Sequence, residues 1–67
     1  MPTYYFTFGQ DHPLRDNWIE IVADDDNAAR NRMVESFGIN WAFQYEGADF
    51  KPEYFHGGRV GRVLEVI

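Results

Sequence analysis

Between Ala23 and Asp25 the spacing of apolar residues in this chain changes from every second residue to every third or fourth. Before that point two segments alternate. In residues 3–8, Tyr4, Phe6 and Phe8 share one side and Thr3, Tyr5 and Thr7 the other. In residues 17–23, Ile19, Ile21 and Ala23 oppose Trp18, Glu20 and Val22. A period of two belongs to an extended strand with one face on a core. After the change, Ala29, Arg32, Met33, Ser36 and Phe37 fall at i, i+3, i+4, i+7 and i+8, one stripe of a helix. Arg32 is the polar exception, and its aliphatic stem can border such a stripe. Alternation returns in residues 40–45, with Trp41, Phe43 and Tyr45 on one side. Segments in this order have one economical solution, a sheet with a helix across one face.

Local signals agree with these boundaries. Residues 9–13 are turn-rich and end the first strand, so the first two strands are expected to pair antiparallel. Asp25 is the expected helix N-cap, with Asp26 and Asn27 in the first turn, where carboxylates meet the positive end of the helix dipole. Gly38 stands where the helix should stop, with Ile39 placed to touch Val34. Pro52 followed by Glu53, Tyr54 and Phe55 predicts a short helical turn near 52–56. Residues 60–67 are expected to form a fourth strand, broken near its start by Gly61. The expected architecture is a single α+β domain over residues 1–67. It has a four-stranded, mostly antiparallel sheet and one main helix on one face, in the order β-β-α-β-β. The helix should cover Phe6, Ile21, Trp41 and Phe43.

Composition narrows the chemistry. The chain has 67 residues and no cysteine, so disulfides and thiolate zinc sites are excluded, and a reducing, cytoplasmic setting is expected. No apolar run approaches the roughly 18 residues of a membrane span, and the N-terminal MPTYYF lacks the features of a signal peptide. No membrane contact is expected. Ser36 is the sole serine; it sits on the helix stripe, outside any nucleophile elbow. His12 and His56 lie in separate loops, and the run Asp24-Asp25-Asp26 puts Ala28 where a calcium loop needs an oxygen ligand. Neither a metal nor a cofactor is expected. The pair Gly57-Gly58 opens a strand, whereas a phosphate loop opens a helix. The protein reads as non-enzymatic.

Charge bears on partners. Eleven acidic and six basic side chains leave a net charge of −5, and the basic residues are scattered, so direct nucleic-acid binding is not expected. Tyr5 and Trp18 fall on the sheet face that one helix cannot cover. With Val22 they form the expected contact surface for a partner protein, since Trp and Tyr are enriched at binding hot spots. Self-association into a homodimer competes for that face, or for an open C-terminal edge at Val66 and Ile67. The alternative reading is an acidic nucleic-acid mimic built on Glu20, Asp24, Asp25 and Asp26. A net of −5 is thin for that, since duplex DNA carries one charge about every 1.7 Å.

The string YYFTFGQ, the helix segment AAR, the FG at its end and the later WAFQY together resemble a group of small bacteriophage accessory proteins of unknown function, especially from phages of actinobacteria. The resemblance spans nearly the whole chain, and its motifs are structural, with no catalytic residue to carry over. It implies an accessory protein acting in the host bacterial cytoplasm, where such proteins bind and modulate a host protein, host-defence components included.

Overall fold

The computed structural model describes residues 2–39 and 41–66. Strands β1 (Thr3–Phe8) and β2 (Asn17–Val22) pair antiparallel, with Tyr4 opposite Ile21 and Phe6 opposite Ile19. Helix α1 (Asp26–Phe37) follows, and β3 (Trp41–Glu46) pairs antiparallel with the other side of β1. Two 3₁₀ turns, Gly47–Asp49 and Pro52–Tyr54, lead to two short strands, β4 (Gly58–Arg59) and β5 (Leu64–Glu65). Both run parallel to β2, one after the other along its outer edge.

The α+β class and the single main helix agree with the sequence reading, and the fourth strand is corrected. It is two paired dipeptides in a mixed sheet. Gly61 has φ 64°, a backbone state that side chains disfavour, and it turns the chain aside between β4 and β5. The parallel direction follows from topology. β3 ends beside Tyr4, level with the end of β2, whereas β4 begins beside Asn17 at the start of β2. Residues 47–57 must therefore recross the sheet, as any parallel connection must.

The main core lies between the sheet and α1. Tyr4, Phe6, Phe8, Ile19, Ile21 and Ala23 pack against Ala29 and Met33. Trp41 sets its ring edge-on to Phe6, with centroids 5.0 Å apart. Asp25 is the N-cap: its Oδ1 accepts the Ala28 N–H at 2.8 Å. Gly38 ends the helix at φ 78°, ψ −160°, donating its N–H to the Val34 carbonyl. That extended conformation at positive φ is open to glycine almost alone. Burial along α1 stops at Met33, so Ser36 and Phe37, expected on the stripe, are exposed. The expected Val34–Ile39 contact does not cover either side chain, and Ile39 is 79% exposed. Asn40 and Ile67, assigned to strands from sequence, lie outside the described residues.

Phe43 is the second correction. Along β1 and β3, Thr7 faces Phe43 but the next residue, Phe8, faces Trp41. The extra residue, Ala42, makes a bulge, which reverses the facing of every residue beyond it. Trp41 therefore faces the helix, and Phe43 points to the opposite side, 59% exposed. Gln44 takes the helix-side place. Its Nε2 donates to the Asp26 carbonyl at 3.2 Å, and its Oε1 accepts from Arg30 at 3.4 Å.

Denaturant melts should separate these roles. Phe6→Ala should cost about 3–5 kcal/mol, whereas Phe43→Ala should stay within about 0.5 kcal/mol. Asp25→Ala should cost about 0.5–2 kcal/mol through loss of the cap, with exposed Asp24→Ala close to neutral.

Candidate functional site

The outer face of the sheet is not the bare aromatic surface that the sequence suggests. Residues 47–57 recross it, and Phe50, buried at 8% exposure, lands on it. Its ring stacks on Tyr5 at 4.3 Å and 10°, meets Trp18 at 5.5 Å and 60°, and is flanked by Tyr45 at 5.8 Å and Phe55 at 5.4 Å. Thr7, beneath, is 1% exposed. Tyr5 and Trp18 are thus half-buried constituents of a second small core. Val22 is half-buried too, and its carbonyl accepts the Val66 N–H at 2.8 Å. The indole N–H groups of Trp18 and Trp41 are buried without an acceptor among the described residues. Sequence reasoning missed Phe50 because it stands alone between two turns, in no periodic pattern.

The acidic residues do not converge into one array. Asp25 is committed to the helix cap. Glu20 is on the outer face, 3.7 Å from Arg59. Asp24 and Asp26 are exposed at the helix entry. His12 is built into its loop: it stacks on Phe8 at 4.5 Å, and its Nδ1 accepts the Leu14 N–H at 3.0 Å. Ser36 accepts a hydrogen bond from Arg32. Two open grooves mark the surface. One, about 330 Å³, is lined by Arg32 and residues 62–65, and the other, about 350 Å³, by residues 9–12 and Ala42. Neither joins a nucleophile to a base. Among the described residues no group of three or more His, Asp or Glu side chains could hold a metal ion.

The flank beside β3 has a different character. Among the described residues five large apolar side chains are exposed: Val34, Phe37, Ile39, Phe43 and Tyr54. Three of them, Val34, Phe37 and Ile39, belong to the end of α1 and its exit toward this flank. Asp26 and Arg30 both reach Gln44 of β3, which fixes the side of α1 that faces β3. Val34 and Phe37 lie four and seven residues beyond Arg30 and so share that side. Ile39 is in the link into β3, and Phe43, on β3 itself, faces the other side of the sheet beside Tyr45. β3 is also the outermost strand, bonded to β1 alone among the described strands.

The far end of the same strand is acidic. The Tyr4 hydroxyl is raised above its ordinary pKa, first by burial and then by the charges of Glu46, Asp26 and Asp25. Glu46 is opposite Tyr4 at that end of β3, and the helix entry lies beside the strand, where the Asp26 carbonyl accepts from Gln44 at 3.2 Å. Tyr5 is raised as well, by burial and then by Glu20. No helix among the described residues is long and apolar enough to cross a membrane.

Phe50→Ala should uncover Tyr5 and Trp18, red-shift the tryptophan emission and cost about 3–5 kcal/mol in melts. In a phenolate absorbance titration, Tyr4 and Tyr5 should ionise above the ordinary value of about 10. Because their folded pKa values are raised, the stability they confer should persist up to that unfolded value and be lost as pH climbs through the folded ones. Comparison with protein families, curated proteins and solved structures finds no match for this chain.

Proposed function

We propose that this chain is a non-enzymatic protein-binding module, and that it engages its partner through the flank formed by β3 and the last turns of α1. The exposure of Val34, Phe37 and Ile39 at the end of α1, with Phe43 exposed on the other face of the adjoining edge strand, carries this reading. Exposed apolar side chains scattered singly are ordinary, whereas these border an unpaired edge strand, itself a template for pairing. This reading moves the contact surface from Tyr5, Trp18 and Val22, the first two of which carry the Phe50 ring, to the opposite edge of the sheet.

The resemblance to phage accessory proteins supplies the setting: a partner in the host bacterial cytoplasm, with a host-defence component as the kind of target such proteins modulate. The mimic reading has less support, because Asp25 and Glu20 are engaged within the fold.

Affinity capture from host lysate tests the proposal. Ile39→Ser and Phe43→Ser should each weaken retention of a captured protein by about 2 kcal/mol or more, with melting unchanged. Tyr54→Ser, in the second 3₁₀ turn and outside β3 and α1, should retain it. Undiminished capture by both flank variants would refute the reading.

A further inference from the structure

Resting on that reading of the β3 flank, we infer that the partner contributes an extended strand, added antiparallel to the outer edge of β3. This strand is basic in its N-terminal half and apolar in its C-terminal half.

The edge selects an extended backbone. β1 takes up one side of β3. Alternate N–H and C=O groups therefore project from the other side, with no strand to pair them among the described residues. Such groups are satisfied by a chain with strand spacing. Edges are commonly protected by lysine, proline, short length or a bulge. Here Trp-Ala-Phe-Gln-Tyr-Glu has neither lysine nor proline and carries one charge, Glu46, at its end. The bulge at Ala42 lies at the start of the strand and leaves residues 43–46 regular. The other side of the sheet differs, because β4 and β5 already line β2 and each is only two residues long.

The ends of the edge differ in chemistry, and this sets the polarity of the partner. Near Trp41 stand Phe37, Ile39 and Val34, all exposed. Toward the Glu46 end lies the helix entry with Asp25 and Asp26, tied to β3 by the hydrogen bond from Gln44 Nε2 to the Asp26 carbonyl at 3.2 Å. An antiparallel strand begins beside Glu46 and finishes beside Trp41. It matches the edge when basic residues come first and apolar ones last. Antiparallel pairing is also slightly the more stable mode. A second copy fits poorly. Antiparallel self-pairing would lay the carboxylates of one copy on the apolar end of the other, between two chains that each carry −5.

The test uses the full chain and a labelled synthetic peptide, Arg-Thr-Lys-Thr-Val-Thr-Ile-Thr-Val, with its reversed sequence as control. Two further versions are N-methylated at one or the other alternate set of backbone amides. The forward peptide should bind, with slowed hydrogen exchange at alternate β3 amides, and the reversed one about tenfold more weakly. One methylated set should lose binding by about tenfold or more and the other retain it, since only one side of an added strand pairs with the edge. Glu46→Lys should weaken the forward peptide by about tenfold and flatten its salt dependence.

Equal binding of forward and reversed peptides, or unchanged β3 exchange on binding, would overturn the inference. So would β3 protection that rises with concentration of the free protein, because a second copy would then hold the edge. If the peptide fails while Ile39→Ser and Phe43→Ser still release the lysate partner, strand addition falls and the binding reading stands. Retention of that partner by both variants overturns the reading and this inference with it.

Discussion

The stack of Phe50 on Tyr5 holds this architecture together. A sheet with parallel edge strands ordinarily needs both faces covered, and one helix covers one face. Residues 47–57 recross the second face to start β4 beside Asn17. That crossing has no long helix to stiffen it. It has one buried ring, seated among Tyr5, Trp18, Tyr45 and Phe55. Aromatic rings suit this purpose, since each removes about 150–250 Å² from water with few rotatable bonds. The density of rings in YYFTFG follows: Tyr4, Phe6 and Phe8 serve the helix side, and Tyr5 serves the crossing.

The two edges of the sheet therefore differ. On the β2 side, the recrossing chain returns as β4 and β5 and pairs the backbone. On the β3 side nothing described returns. Bulging at Ala42 turns Phe43 to the outer face, while α1 ends in the exposed Val34 and Phe37 on the helix side. Covering the aromatic face thus leaves apolar surface beside an unpaired strand. Among the described residues the main core has eight buried side chains, a small share in a chain of this size.

Electrostatics divides along the same lines. The Glu20–Arg59 pair lies on the outer face, partly exposed, and such pairs add little stability. The carboxylates at the helix entry have a local role in Asp25, which caps α1, and a regional one with Glu46, which makes one end of β3 acidic. Part of the chain's negative charge thus lies at one end of an open edge, and the rest is spread over the surface.

Much of this was legible in the sequence. β1, β2, the bounds of α1 and the Asp25 cap follow from local rules: alternation, helical spacing and the side-chain oxygen that a helix start requires. These depend on neighbours within four residues, which the sequence states directly. Phe43 was misplaced because a bulge adds one residue to a strand without altering its composition, and only the register against β1 reveals it. Phe50, the split of the last strand and the parallel direction of β4 and β5 depend on where residues 47–57 travel, a question of distant pairing. The candidate site had the same fate. Tyr5 and Trp18 were identified correctly as facing away from the helix, yet whether that face stayed open was decided by a ring some thirty to forty-five residues away in the chain. Sequence determined which faces are apolar; tertiary structure decided which of them is covered, because covering is a contact between segments that no local period encodes.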